Sequence, residues 1–544
     1  MRHPPHLSVA ADNGSVGTVP AHQPQPAPTR PRRAELVAAL SLGLDLGLGQ
    51  PMDHMLRAAV IATRLADRVG LDAERRGVVF YAQLLSWIGC QADSPELTAL
   101  FVDEIAFRAG TFPVDLHGLD RARFLLGQAG HGRPPAAAGW AVARILATGP
   151  RAMQQLIDSH YASAGALADR LGMGVRVRDA IHHTFERWDG TGLPRGVGGE
   201  AIPIEMRVVH VADVTEVHLR EHGPDAAVEM ARRRRGSQFD PLVVDALCFA
   251  SRDVLDGLDG VDGVDAWPVA LGAAPDPDRP LSDAELDDLL MAMGDFIDLK
   301  SPFRQGHSRR VAELSGAAGR SAGLTGAQQQ DLRRAGWVHD LGRLGVPNSI
   351  WDKAGRLSST ERERVRLYPY FTQRMFGRVP GLTEVAALAG SHRERLDGSG
   401  FPKGVDATFL TMPARLLAAA DRLVVLTEPR AGRVALDLPD AVRVLDRDAA
   451  AGLLDASAVA AVASAAGDRP HRRARTAGLT AREEEVLAHA AIGRTTRQIA
   501  AELVISEKTV RNHLEHIYTK TGVSNRAGAS LFAVQHGIVR PGGP

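Results

Sequence analysis

At 544 residues the chain is too long for a single core, and a domain size of roughly 150 residues predicts three or four domains. Hydrophobic residues make up 44% and charged residues 24%, an ordinary globular balance, and Lys+Arg 64 against Asp+Glu 64 excludes a chain-wide basic field for nucleic acid but not a local one. The two cysteines, Cys90 and Cys248, exclude a disulfide scaffold and a cysteine-rich zinc site, and the lack of any signal-peptide core or uncharged apolar run of about 18 residues predicts a cytoplasmic protein with no membrane span.

Residues 1–33 carry Pro, Gln, His and Arg without apolar periodicity and read as a disordered leader. From Ala34 onward apolar residues recur at helical spacing, as in Leu56, Val60, Ile61, Leu65 and Val69, while strand-like alternation is rare. The expected class is all-α. Two stretches interrupt the pattern and read as linkers: residues 255–280, rich in Gly, Asp and Pro, and residues 467–477, rich in Arg. They leave domains at 34–254, 281–466 and 478–544.

An internal repeat relates the two large pieces. Glu186-Arg187-Trp188-Asp189-Gly190-Thr191-Gly192-Leu193-Pro194 returns as Glu394-Arg395-Leu396-Asp397-Gly398-Ser399-Gly400-Phe401-Pro402, with six of nine positions identical. Glu186 to Asp213 and Glu394 to Asp421 both span 27 residues, and His54 to Trp87 and His307 to Asp340 both span 33. Trp87 to Glu186 spans 99 residues, against 54 from Asp340 to Glu394, so the first copy carries about 45 extra residues near 95–150. No chemistry is legible in that segment. The basic run Arg232 to Arg235 is expected on a solvated helix face.

The second copy holds His307, His339-Asp340, His392 and Asp421. Imidazole nitrogen with carboxylate oxygen suits a divalent first-row metal such as iron, manganese or zinc, and such an ion activates water and screens phosphate. These residues, with Val338-His339-Asp340-Leu341-Gly342-Arg343 and the Asp397–Pro402 loop, resemble the HD-GYP branch of the HD phosphohydrolases over residues 296–462. The resemblance implies an all-α domain, clustered His and Asp metal ligands at His307, His339, Asp340, His392 and Asp421, catalytic roles for Asp340 and Arg343, and a cyclic nucleotide as ligand or substrate. Three departures accompany it. Arg343 replaces a family lysine, Tyr368 stands before Pro369 where the family has histidine, and Arg393 follows His392 where the family has a second histidine. Two expected ligands are thereby missing, which predicts one or two ions rather than three. In the first copy Ser86-Trp87 replaces the His-Asp pair and Thr184 matches His392, so that copy should bind no metal.

Residues 471–544 hold 11 Arg/Lys and six Asp/Glu, a local positive balance suited to phosphate. Thr480-x-x-Glu483 is a capping box opening a helix to about Ala491; a second helix carries Ile499, Ala500 and Leu503. A tight turn is expected at Val504-Ile505, with Ser506 capping a third helix. Val510, Leu514 and Ile517 share its inner face, and Lys508, Arg511, Asn512 and Glu515 its outer one. Arg and Asn read base edges while Lys, Ser and Thr suit phosphates. From Leu479 to Val523 the pattern resembles the LuxR-type helix-turn-helix domain. That resemblance implies double-stranded DNA as partner, contacts from Ser506, Lys508, Thr509, Arg511, Asn512 and Glu515, and a homodimer formed through a fourth helix near Arg526 to Gln535. Two functions are consistent with the whole: a DNA-binding transcriptional regulator with HD-type input domains, or a metal-dependent phosphohydrolase of the cyclic-dinucleotide class with a DNA-targeting tail.

Overall fold

The computed structural model describes residues 30–130, 135–258, 265–275, 279–467, 479–523, 525–536 and 538–539. Within them the regular structure is helical, and extended backbone pairs only at isolated bridges such as Arg32 with Pro280. Many helices begin at caps written in the sequence. Ser282 with Glu285 and Thr325 with Gln328 form capping boxes, and Asp72, Asp240 and Asp437 each accept a first-turn N–H.

Two copies of one helical unit make up the body. Helices Arg33–Gly47, His54–Arg68 and Ala73–Leu85 and the short turn Ile88–Gln91 return as Asp283–Asp298, His307–Ser321, Gly326–Val338 and Leu341–Gly345. Asp45 and Asp298 each accept the backbone N–H ten residues on, at 3.1 and 2.9 Å. Further along, helix Ile204–His222 corresponds to Met412–Leu426. In the loops before them Asp189 and Asp397 each accept the N–H two residues ahead at 3.0 Å, and the ion pair Arg207–Asp240 (2.6 Å) returns as Arg415–Asp455 (2.8 Å).

The extra segment of the first copy lies wholly before His160. The carbonyl of His160 occupies the place a Cβ on Gly89 would need, and that of Tyr368 does the same to Gly342, so His160 and Tyr368 are equivalent and both close approaches require glycine. The inserted helices are Ser94–Leu100, Glu104–Ala109, Gly118–Gly130 and the first part of Pro135–Arg170. One of them reaches the second copy. Glu104 accepts from Lys300 Nζ and from the Asn348 N–H, both at 3.0 Å, and Lys300 is only 2% exposed.

Three expectations are corrected by packing. Within the expected linker 255–280 the described residues 265–275 are packed rather than free, because helix Ala266–Gly272 buries Trp267, Ala270 and Leu271 against the core of the first copy. The leader ends earlier than composition indicated: the Leu281 N–H donates to Pro31 O at 2.9 Å and a helix starts at Arg33. Residues 1–29 and 468–478, and with them all but the first residue of the basic linker 467–477, lie outside the described residues. In the basic run, Arg232, Arg233 and Arg235 are exposed, but Arg234 is 8% exposed and turns inward to donate to Pro113 O at 2.9 Å.

A continuous apolar core runs through both copies, and the C-terminal helices have a separate one built on Val486, Leu487, Ile499, Val510 and Ile517. The two bodies touch through an apolar patch. Leu531 and Ala527 of helix Arg526–Gln535 lie against Ala92, Ala166 and Leu299.

Candidate metal centre and DNA-recognition helix

Five side chains from four helical segments of the second copy converge. His307 opens one helix, His339 and Asp340 end another, His392 follows the helix Thr383–Ser391, and Asp421 sits within Met412–Leu426. All five are 0–1% exposed. His307 Nε2 is 3.4 Å from Asp421 Oδ1 and 3.7 Å from Asp340 Oδ2; His339 Nε2 is 3.6 Å from both Asp340 Oδ1 and Asp421 Oδ1. Ligand atoms bound at about 2.0–2.2 Å to one ion stand roughly 3.0–4.2 Å apart, so each of these pairs fits a shared ion, and the ligand atoms fall into two mutually close triads that share His339: His307, His339 and Asp421, and His339, Asp340 and His392.

The histidines are aimed from behind. The Nδ1 of His339 faces Gly336 O at 2.8 Å, that of His392 faces Ala389 O at 2.6 Å, and that of His307 faces Glu428 Oε2 at 2.9 Å. An Nδ1–H held by a carbonyl or carboxylate presents Nε2 as a lone pair for a metal; on His339 that atom is unpartnered, whereas on His307 the Arg304 Nη1 donor stands 2.7 Å from it. His339 Nε2, Asp340 Oδ1 and Asp421 Oδ1 have no hydrogen-bond partner although buried. Orphaned donors and acceptors of this kind are costly unless something binds them, and this donor set could hold a divalent metal.

Three arginines crowd the same centre. Arg393 Nη1 is 3.1 Å from Asp421 Oδ2, Arg343 Nη1 is 3.5 Å from Asp340 Oδ2, and Arg304 Nη2 is 3.7 Å from the same atom. Burial opposes the Asp340 carboxylate, but His339, Arg343 and Arg304 outweigh it and hold its pKa well below the usual range. Burial, with Arg304 nearby, pushes Arg343 down to about 10, and its guanidinium stacks over the Trp351 ring at 3.7 Å. Tyr368 changes the role of His392. Its hydroxyl lies 2.7 Å from His392 Nε2 and accepts from Arg393 Nε at 2.7 Å. Because His392 Nδ1 is the donor to Ala389, the Tyr368 O–H donates to Nε2 and occupies the lone pair a metal would need. Burial, with His339 and Arg393 alongside, pushes His392 down to about 3.

Glu428 and Arg304 were not legible as site residues. Glu428 follows Asp421 by seven residues, beyond the end of its helix, and Arg304 precedes His307 in a turn, so neither shares a helical face with a ligand.

The equivalent centre of the first copy is closed by its own side chains. Trp87 Nε1 donates to Asp213 Oδ2 at 3.1 Å and Gln83 Nε2 to Asp213 Oδ1 at 3.0 Å, while the Thr184 hydroxyl donates to Ile181 O at 2.7 Å. Nearby Cys90, Asp93 and His160 come within ligand distance of one another, but the Arg108 guanidinium is already paired with Asp93 at 2.9 Å. Burial, with Asp93 beside it, raises the Cys90 thiol far above its ordinary range.

In the C-terminal body the helices are Ala481–Ala491, Thr496–Glu502, Glu507–Thr521 and Arg526–Gln535. Ser506 Oγ accepts the Thr509 N–H at 3.1 Å and so starts the third helix. Lys508, Arg511, Asn512 and Glu515 are exposed along it with Ser506, Thr509 is half-buried, and Val510 and Ile517 are buried behind them. The turn before it places Val504 at φ +54°, a left-handed conformation that disfavours a β-branched residue. Lys520 Nζ reaches Glu483 Oε2 at 2.7 Å and ties the third helix to the first.

Comparison with known proteins accounts for both sites. The HD domain family matches residues 151–243 and 292–458, once in each copy, and the bacterial regulatory proteins of the luxR family match residues 477–533. The chain carries HD-type domains and a LuxR-type DNA-binding domain. The HD-type part is similar to the 3'3'-cGAMP-specific phosphodiesterase 3 of Vibrio cholerae, 28% identical over 420 residues, covering 76% of this chain and 90% of that protein. A crystal structure of a cyclic GMP-AMP specific phosphodiesterase from V. cholerae superimposes with a TM-score of 0.56 at 26% identity, covering 80% of this chain and 98% of that one. The LuxR-type domain is 45% identical over 60 residues to the uncharacterized transcriptional regulatory protein YhcZ of Bacillus subtilis, covering 11% of this chain and 28% of that protein. No helix among the described residues is long and apolar enough to cross a membrane.

Proposed function

We propose that the chain is a DNA-binding transcriptional regulator whose second HD-type domain binds one divalent metal, iron, manganese or zinc, and a cyclic dinucleotide, and that this occupancy sets how the LuxR-type domain engages double-stranded DNA as a homodimer. The observation that carries the reading is the set of buried, unpartnered ligand atoms on His339, Asp340 and Asp421, on the same chain as an exposed recognition face. His307, His339, Asp340 and Asp421 are the ligands; His392, engaged by Tyr368, serves as a neighbour that positions that hydroxyl. The ion supplies positive charge to a phosphodiester and activates water. Around it, Arg343, fixed on Trp351, is placed to hold a phosphate oxygen, and Arg304 and Arg393 add charge where an anion would enter. On DNA, Arg511, Asn512 and Glu515 read base edges, and Ser506, Lys508 and Thr509 face phosphates.

Hydrolysis is the second reading, favoured by similarity to a phosphodiesterase along 90% of that protein's length. It assigns Asp340 and Arg343 to catalysis. Both readings are tested on one purified sample. Metal content is measured, 3'3'-cGAMP and cyclic di-GMP are supplied, and product release and DNA mobility shift are followed in parallel. A nucleotide-dependent change in DNA affinity without turnover supports the regulator alone, and turnover without any effect on DNA supports the enzyme alone. Failure to bind metal and nucleotide overturns both.

A further inference from the structure

The first HD-type copy has lost its metal centre, yet the space beside it is not filled. A cavity of about 680 Å³ opens between the closed centre, where Ser86, Trp87, Thr184 and Asp213 form one wall, and the inserted helices, which form the other. Sites for small organic ligands are typically about 300–1,000 Å³ and mostly apolar. Protein cores are otherwise packed without such voids, because an unfilled space forfeits contacts on every side.

The lining is chemically divided. Trp87, Phe101, Phe107, Phe112, Phe124 and Phe185 all face it, in a chain with only 15 Phe and six Trp. The Phe101 and Phe107 rings stack at 4.0 Å, and Phe112 lies 5.6 Å from Trp87. The other end is cationic. Arg187 and Arg234 also line the cavity at 7% and 8% exposure. Arg187 spends Nη1 on Asp115 at 2.7 Å and sets Nε 3.5 Å from Asp189 Oδ1, which leaves its buried Nη2 without a hydrogen-bond partner. Arg234 donates to the neutral oxygens of Pro113 and Gln238 and has no ion pair among the described residues. Burial, reinforced by Arg187 and Arg233, pushes the Arg234 pKa down and outweighs the opposing Asp115 carboxylate. His210, also on the wall, is neutral, since burial lowers it to about 4. A buried cation with open donors is satisfied by an anion.

We infer that this cavity is a binding site for an amphipathic organic anion, with an aromatic or alkyl body among the phenylalanines and a single acidic group held by Arg187 and Arg234. The inserted helices, which the second copy lacks, are the part of the chain that builds this site. The site adjoins the output domain, because Cys90 and Asp93 line the cavity while Ala92 between them shares an apolar cluster with Leu299 and Leu531.

Two fluorescent probes with the same rings test it on the full chain: 1-anilinonaphthalene-8-sulfonate, which is anionic, and N-phenyl-1-naphthylamine, which is neutral. Dodecanoate serves as the alkyl competitor. The wild type should bind the sulfonate saturably at one site per chain, with dodecanoate displacing it. Arg234→Met should weaken the sulfonate at least tenfold and the neutral probe less than twofold. Leu125→Trp, which fills the cavity from the inserted side, should weaken both. Thermal melts identify variants that fold, and Leu125→Trp, at a half-buried position, carries the test alone if Arg234→Met does not. Unsaturable binding, equal losses of both probes in Arg234→Met, or full binding by Leu125→Trp would each overturn the assignment.

Discussion

Replacing Leu299 with alanine should loosen the DNA-binding domain from the HD-type pair and strengthen DNA binding. Leu299 lies outside the main core; it is 9% exposed and packs in the patch with Ala92 and Leu531. The partner surface belongs to helix Arg526–Gln535, so in the proposed homodimer the HD-type pair and a second copy of the chain would compete for it. Removing three carbon atoms from a nearly buried leucine costs about 2 kcal/mol of contact. At about 1.4 kcal/mol per tenfold, the docked-to-free ratio falls roughly 30-fold. Apparent DNA affinity rises by up to that factor when the docked form dominates. The substitution changes no residue of the recognition face or of helix Arg526–Gln535, so a gain reports release rather than a change in the reader. Mobility-shift titration against a DNA selected by the wild type measures the affinity, and amide exchange in Arg526–Gln535 measures exposure. Unchanged affinity together with unchanged exchange in a normally folded variant would refute the reasoning.

Glu104→Gln should destabilise the HD-type pair by about 3–5 kcal/mol at pH 7, because it leaves the buried Lys300 ammonium unpaired. Burial already lowers Lys300 from 10.5, so the folded state sheds that proton before the unfolded state does, stability rises with pH across that interval, and the deficit in denaturant melts should shrink toward pH 10. A deficit that does not change with pH, or one not relieved by adding Lys300→Met, contradicts this. Substituting His339 and Asp340 together with alanine should abolish bound metal, read by elemental analysis; retention of full metal content would move the site elsewhere. Arg511→Ala and Asn512→Ala should each cost about 1–3 kcal/mol of specific DNA binding and relax base preference, while Lys508→Ala should weaken all sequences alike and flatten the salt dependence. Val504→Gly should stabilise the DNA-binding domain by about 1 kcal/mol, since glycine adopts the left-handed turn without a Cβ penalty; a lower melting temperature would show the turn is held by something else.

The linear sequence by itself determined the repeat, the domain order and the recognition helix, because these depend on spacing within single helices. Thr480 with Glu483, Ser506 as a cap, and the outward set Lys508, Arg511, Asn512 and Glu515 are all local, and each stands where periodicity put it. The convergence of His307, His339, Asp340, His392 and Asp421 was likewise readable from their order along the chain, with the positions of His307 and Asp421 shared by both copies. Tertiary structure alone decided what those groups do. Tyr368 takes the lone pair of His392 from a neighbouring helix, and Glu428 orients His307 across 121 residues of chain. The same holds for the inserted segment, whose sequence carries no motif. Its meaning comes from phenylalanines brought opposite Arg187 and Arg234, from Glu104 buried against Lys300, and from Ala92 beneath Leu531. Helical periodicity says which face is buried, but which residue meets it there is set by contacts between segments far apart in the chain.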